Sequence, residues 1–317
     1  MCLTHSTKFS NPYGQKPTKD MDFDLFKQVL HRYKNALGVN IIGNGEPLLH
    51  RDFFKMVDYA TDVMKMNVFS SSNGILVGKF IEEITDSPLK NFNISINGHT
   101  PKEFNRMTGM PPHLFDQICD NTINLVTRRK EKRARLRITA CFILDRENCK
   151  SINDMIYFAD TLGADKIAFF HFLPSSMKGF TAEERCLFSD DSTVLETFAQ
   201  VDLLPRQIRQ KVTLPPLLNR TMNENRYCDV WFYNLSIDGA ANIGGCSCQL
   251  LDLSKSGNYY DEEDPWNSPH FQEMRKCFVN SAYPLLEPCT WCYNNSSYFH
   301  DRAKFSNPLS HRLRARH

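Results

Sequence analysis

Between residues 22 and 173 the chain alternates between two hydrophobic rhythms. Residues 23–37 carry Phe23, Phe26, Val29, Leu30 and Tyr33 at helical spacing, and residues 39–42 then read as a short strand. The alternation continues with a helix over 51–65, holding Phe54, Met56, Val57 and Ala60, and a strand over 67–70. Helices over 79–85, 112–128 and 151–162 precede strands over 91–96, 136–144 and 166–172. Helices alternating with short β-branched or aromatic strands predict parallel βα units and an α/β fold. Gly43-Asn44-Gly45, Asn73-Gly74 and Asn97-Gly98 fall where strands should end. They therefore mark one rim, at the C-terminal ends of the strands, where such folds build their sites.

The rhythm breaks between residues 174 and 226, which hold Pro174, Pro205, Pro215 and Pro216 and show no clear strand. This stretch is expected to bridge a core domain, residues 1–173, to a small loop-rich domain, residues 227–300, with 301–317 as a tail. The last third is rich in Cys, Asn, Tyr and Trp. Six of the eleven cysteines, Cys228, Cys246, Cys248, Cys277, Cys289 and Cys292, lie there. An odd number forbids complete internal pairing, and no secretion signal precedes the fold, so reduced thiols that bind metal in a cytoplasmic protein are expected. The formal net charge of +2 points to neither nucleic acid nor a membrane surface as partner. The longest apolar stretch, near residues 167–173, is too short to span a bilayer. The basic run from Arg128 to Arg137 reads as a solvated helix end whose cations suit the helix dipole.

Gly43-Asn44-Gly45-Glu46-Pro47 follows directly on a predicted strand. Its glycines permit positive φ and close approach of backbone to a ligand, and Pro47 stiffens the exit. The Glu46 carboxylate, at a strand end, suits an ammonium group. Taken alone, the segment is a Gly-rich turn. Ser71-Ser72-Asn73-Gly74 closes the next strand, however, and Asn93-Ile94-Ser95-Ile96-Asn97-Gly98 forms the one after. Polar and Gly residues at successive strand ends would line one cleft. Near the C-terminus Cys289 and Cys292 form a Cys-x2-Cys pair; with two upstream cysteines they supply four soft ligands, suited to iron–sulfur or zinc.

This order and spacing resemble the radical S-adenosylmethionine (radical SAM) enzymes, and the C-terminal stretch resembles their auxiliary-cluster (SPASM or twitch) domain. The resemblance implies a partial (β/α)6 TIM-like barrel lacking its first strand, followed by a small Cys-rich metal-binding domain. By position, Gly43, Gly45, Glu46 and Pro47 would surround the amino group of S-adenosylmethionine. Ser72, Asn73 and Ser95 would sit near its ribose, and Arg106 near its carboxylate. Asn97 stands where many relatives carry Asp. Cys2 matches the last cysteine of the family's Cys-x3-Cys-x2-Cys motif for a [4Fe-4S] cluster. The resemblance thus implies that Met1 is an internal codon and that the first two ligands precede it. Cys228, Cys246, Cys289 and Cys292 would hold an auxiliary iron–sulfur cluster, with Cys248 an alternative to Cys246. Other cysteines, including Cys119, Cys141, Cys149 and Cys186, read as inert buried thiols. The implied activity is hydrogen abstraction from a peptide or small-molecule substrate, with a flavodoxin or ferredoxin as electron donor. The alternative is a non-catalytic iron–sulfur or zinc protein that binds or transfers electrons.

Overall fold

The strands share one buried, mostly apolar side, interrupted by Ser70 and Ser72 in the second strand and by His171 at the end of the fifth, and that side drives the assembly. The computed structural model describes residues 19–43, 45–172, 182–218, 228, 230–246 and 257–279. Six strands run parallel and in chain order: β1 (Gly38–Ile41), β2 (Asn67–Ser72), β3 (Asn91–Ser95), β4 (Arg137–Leu144), β5 (Lys166–His171) and β6 (Val212–Thr213). Val68, Phe92, Ile94, Ile138, Ala140, Phe142, Ile167 and Phe169 share one side and are at most 3% exposed. Burying each such large side chain contributes roughly 1.5–3 kcal/mol. The Phe142 and Phe169 rings stack at 5.4 Å across β4 and β5.

The opposite side is unusual for a parallel sheet, whose faces are normally both apolar and covered. The register pairs Ser71 with Asn93 and Asn93 with Thr139, placing all three on one side. Phe69, Ser71, Asn91, Asn93 and Ser95 remain partly or fully exposed there. Thr139 Oγ1 donates to Asn91 Oδ1 at 3.0 Å, and Asn91 donates in turn to Asn93. The sheet therefore has one greasy face and one accessible hydrogen-bonding face.

The helices follow from local signals. Asp22 caps α1 (Phe23–Arg32) by accepting from Asp24 N, and Leu25, Phe26 and Leu30 fill its buried stripe. In α2 (Phe53–Asp58), which runs on into a π-helical turn over Tyr59–Val63, Phe53 is 1% exposed. Phe54, expected in the stripe, is only half-buried. The short α3 (Ile81–Asp86) leads into β3. The sequence pattern missed α4 (Pro101–Thr108), although its capping box is written out: Thr100 Oγ1 accepts from Glu103 N at 3.2 Å. Gly109, with φ +74°, ends it. Helix α5 (His113–Glu131) buries Phe115, Ile118, Leu125 and Val126, and α6 (Ile152–Thr161) buries Ile152, Met155 and Ile156.

Residues 174–226 were expected to hold no strand, and β6 corrects this. Its two residues are too few to show any period, yet Val212 pairs with Ile167 and extends the sheet. The same stretch holds α7 (Ala182–Arg185), α8 (Ser192–Asp202) and α9 (Arg206–Arg209). Met21–Phe172 and Thr193–Pro215 group as one compact unit, and a second takes in Leu173–Ser192 and Pro216 onward. Among the described residues no helix is long and apolar enough to cross a membrane.

In the second unit, Ser236–Ile237 (β7), Asn242–Gly244 (β8) and Gly257–Asn258 (β9) form an antiparallel sheet. Its core is aromatic. Trp231, on α10 (Val230–Tyr233), is 1% exposed and meets Phe271 edge-on at 5.0 Å. Gly245 lies flat against the Trp231 ring, with no room for a Cβ. On α11 (Pro269–Val279), Arg275 donates to Trp231 O at 2.9 Å and covers the Trp266 ring at 4.6 Å.

Candidate functional site

The strand ends named by the sequence gather on the C-terminal rim, and Glu46 joins two of them. Its carboxylate accepts from Leu48 N at 3.3 Å within its own loop and from Asn73 N at 2.7 Å in the turn after β2. A carboxylate offers about four acceptor positions, so about two remain for a ligand. Among the described residues Gly43 and Gly45 have open space beside them: a Cβ on Gly45 would meet nothing within 4 Å, and one on Gly43 only Gly45 N at 3.8 Å. Neither is among the positive-φ glycines of the described residues; of the two freedoms expected of them, the one seen here is room. The glycine that the backbone does require is Gly74, with φ +83° and Ile118 Cγ2 only 2.7 Å from where a Cβ would stand. Pro47 begins the 3-10 turn Pro47–Leu49, with Glu46 as its cap.

Ser72 does not face the accessible side. It is 3% exposed on the greasy side of β2, and its Oγ accepts from Gly74 N at 3.0 Å. The strand period of two brings Ser71 instead to the face shared by Phe69 and Asn93. Asn73 uses its side chain locally, Oδ1 accepting from Ile75 N at 3.0 Å. Ser95 does lie on the accessible face, at the end of β3. Just beyond it, Asn97 takes φ +58° and its Oδ1 accepts from Ile143 N at 3.1 Å, tying β3 to β4. An aspartate there can accept the same bond.

Arg106 is engaged elsewhere. Its guanidinium grips the fully buried Asp145 with two bonds, of 2.9 and 3.2 Å, and reaches Glu147 at 3.1 Å. Burial works against its charge, but the hydrogen bond and charge of Asp145, with Glu147 and Glu103, raise its pKa above the ordinary arginine value. So placed, it clamps α4 to the end of β4, and its role toward a ligand carboxylate is not supported. Asp145, which also accepts from the backbone of Glu147 and Asn148, is a hub that sequence reading missed. A lone Asp after a strand carries no signal without its partner.

Of the expected metal ligands, Cys2, Cys289 and Cys292 lie outside the described residues, as does the alternative Cys248. Cys228 and Cys246 are described and half-buried in the second unit. Among the described residues no three His, Cys, Asp or Glu side chains group to hold a metal. Of the cysteines read as inert buried thiols, Cys141, Cys149 and Cys186 are buried and Cys119 is half-buried. Burial, then Asp116 and Asp120, pushes Cys119 up to about 12, and burial pushes Cys141 up to about 12.

The rim thus offers a carboxylate with spare acceptors, open backbone at two glycines, and hydroxyls at Ser71 and Ser95. That donor set suits a small ligand with an ammonium and hydroxyl groups.

Comparison with known proteins bears on family and fold. The Radical SAM superfamily model matches residues 1–152. A probable GTP 3′,8-cyclase of Pyrobaculum aerophilum is 24% identical over 184 residues, 56% of this chain and 55% of that protein. One from Sulfolobus acidocaldarius is 27% identical over 124 residues, 39% of this chain and 37% of that protein. The chain spans about half the length, or less, of these curated relatives. Streptococcus suis SuiB bound to its precursor peptide SuiA superposes with TM-score 0.61 at 14% identity, over 84% of this chain and 64% of SuiB. At that identity the likeness is one of fold, and it bears out the α/β reading with its parallel sheet.

Proposed function

We propose that this chain, whose residues 1–152 carry a radical SAM domain, binds S-adenosylmethionine at the C-terminal rim of its sheet and works as a radical SAM enzyme. The observation that carries this reading is the Glu46 carboxylate, held between two strand ends beside the open Gly43 and Gly45. There it receives the ammonium of the methionine moiety, while Ser95 and Ser71 lie toward the ribose. Cys2 would be one ligand of the [4Fe-4S] cluster, and cluster and S-adenosylmethionine together would supply the radical chemistry for hydrogen abstraction, drawing one electron from a reduced donor protein. The chain's own part is to orient cofactor and substrate and to keep water out. The accessible face of Asn91, Asn93 and Thr139 receives the substrate, a peptide or a small molecule. The names of the relatives support both classes: SuiB is seen with a peptide and the cyclases are named for GTP. Residues 227–300 form an auxiliary domain with Cys228, Cys246 or Cys248, Cys289 and Cys292 on a second cluster, and a flavodoxin or ferredoxin is the electron donor.

Titration calorimetry of the anaerobically purified protein with S-adenosylmethionine tests the reading. Wild type should bind, and Glu46→Ala should bind about tenfold more weakly, the loss of about 1.4 kcal/mol expected for a charged hydrogen bond. Unchanged affinity sinks the assignment. Iron and acid-labile sulfide analysis tests the second cluster, since zinc without sulfide contradicts it.

A further inference from the structure

Parallel strands all begin at one end of a sheet, so whatever precedes each strand collects on a single rim. Lys65 stands just before β2, Lys90 immediately precedes β3, Arg135 stands just before β4, and Arg137 opens it. All four are exposed, as is Arg133 in the turn feeding β4, where φ is +52°. The backbone joins them closely, with Arg137 N donating to Lys90 O at 3.2 Å. Adjacent strands lie about 4.8 Å apart, so these cations occupy one narrow band.

Apart from Asp62, which stands exposed three residues before Lys65, the nearby carboxylates do not neutralise it. Glu82 is taken by Arg128 and Lys132, Asp86 by Lys132, Glu131 by Arg128, Asp165 by Arg129, and Asp160 by Lys211. Among the described residues, Lys65, Lys90, Arg133, Arg135 and Arg137 form no ion pair. The basic run read from the sequence as a solvated helix end therefore splits in two: Arg128, Arg129 and Lys132 are spent on ion pairs, and the later arginines join lysines from other loops. Two apolar side chains lie at the same rim, Leu37 before β1, 63% exposed, and Val63 before β2, 56% exposed.

We propose that this rim docks an acidic polypeptide segment, at the opposite end of the sheet from the candidate ligand site. Unpaired like charges gathered from three loops oppose one another, and a partner carrying carboxylates relieves that opposition. The exposed Leu37 and Val63 suit a segment with apolar residues among its acids. Single-stranded nucleic acid fits less well, because it takes much of its affinity from stacking on aromatic rings. One exposed ring, Phe69, lies near this rim against Gly38 at the start of β1, and the other rim residues named here are cationic or aliphatic, so successive bases find no series of rings to stack on. The proposal does not depend on S-adenosylmethionine binding, and it can be tested on protein that binds no cofactor.

The test is fluorescence anisotropy with a labelled ten-residue peptide alternating Glu with Leu and Gly, its Gln counterpart, and a single-stranded RNA of equal charge. Wild type should bind the Glu peptide, more weakly as salt rises, and should bind the Gln peptide at least tenfold less well. The triple variant Lys90→Glu/Arg135→Glu/Arg137→Glu should lose at least tenfold. Lys55→Glu/Lys79→Glu/Lys102→Glu changes the net charge equally but away from the rim, and should lose less than twofold. Equal losses in both triples would reduce the effect to net charge and overturn the proposal. Tighter binding of the RNA than of the peptide would overturn it as well. If the rim triple fails to fold, Arg135→Gln and Arg137→Gln singly should each lose about threefold, and no loss in either overturns it.

Discussion

The two ends of one sheet treat their charges in opposite ways. At the C-terminal rim Arg106 is three-quarters buried and locked onto the fully buried Asp145, and Glu46 spends two acceptor positions on backbone N–H groups. At the N-terminal rim Lys90, Arg135 and Arg137 stand exposed with no acid among the described residues to meet them. The first arrangement fixes a geometry, because low-dielectric pairs with several hydrogen bonds hold one conformation. The second fixes little, since exposed cations keep their rotamer freedom and are screened by salt. A rim built to orient a small ligand needs the former; one that captures a mobile acidic chain is served by the latter.

The largest expected effect comes from breaking the locked pair. Asp145→Ala leaves the Arg106 guanidinium partly buried without its main partner, and removes the acceptor for the Glu147 and Asn148 amides. The cost should be about 3 kcal/mol, read from urea denaturation. Arg135→Gln, its counterpart at the exposed rim, should change stability by no more than about 0.5 kcal/mol. Similar losses in both would erase the contrast between the rims. Gly74→Ala comes next. It forces an alanine to φ +83° and presses its Cβ on Ile118, which should cost about 2 kcal/mol and loosen the turn that Glu46 holds.

A smaller effect sharpens what Glu46 does. Asn121 on α5 already holds the carbonyls of Gly74 and Ile75, so the Asn73 N–H is the part of this turn that depends on the carboxylate. Glu46→Ala should speed hydrogen exchange of the Asn73 amide about tenfold, as expected for the loss of a bond worth about 1.4 kcal/mol. Glu46→Gln keeps one acceptor oxygen and should speed it by less than about threefold. If Gln and Ala accelerate it equally, the carboxylate is not held by this bond and the C-terminal rim is less organised than its geometry implies.

The greasy face of this sheet was legible in the sequence because Phe92, Ile94, Ile138, Ala140 and Phe142 alternate or run together as buried strands must. The rim was legible too, since Gly, Asn and Ser cluster at predicted strand ends. What failed were choices between neighbours. Ser71 and Ser72 are chemically identical, and only the register tells which faces the open side; Phe69, two positions before Ser71, points the wrong way in the sequence, since an apolar ring is expected inside and this one is exposed. The engagement of Arg106 by Asp145 was not foreseen because the two are 39 positions apart, a separation that leaves no local trace. The strand β6 escaped for the reason that two residues carry no period. The basic rim was half visible: the run from 128 to 137 could be seen, but Lys65 and Lys90 join it only once parallel pairing brings strand starts together.

Glu82 gives the finest test of the contrast, because it is the acid that neutralises one side of the basic region. It accepts from Arg128 at 2.7 and 3.0 Å, and Lys132 lies 2.7 Å from it. The Arg128 hydrogen bond first, then that of Lys132, brings its pKa from the ordinary 4.5 down to about 2. A carboxyl depressed in the folded state stabilises the fold above its unfolded pKa, and that contribution disappears as pH falls through the folded value. Glu82 therefore contributes its full share above about pH 4.5 and loses it on the way to about pH 2. Because the side chain is exposed, the share is small; Glu82→Gln should flatten the pH dependence of stability slightly in that window and lower the midpoint at pH 7 by the same small amount. The same substitution frees Arg128 from two of its bonds and leaves Lys132 only Asp86, adding cations to the unpaired band. The acidic peptide should then bind Glu82→Gln somewhat more tightly than wild type, by about twofold as befits an exposed pair. Weaker binding would mean that Glu82 belongs to the docking surface itself, and that the line between spent and available cations runs elsewhere.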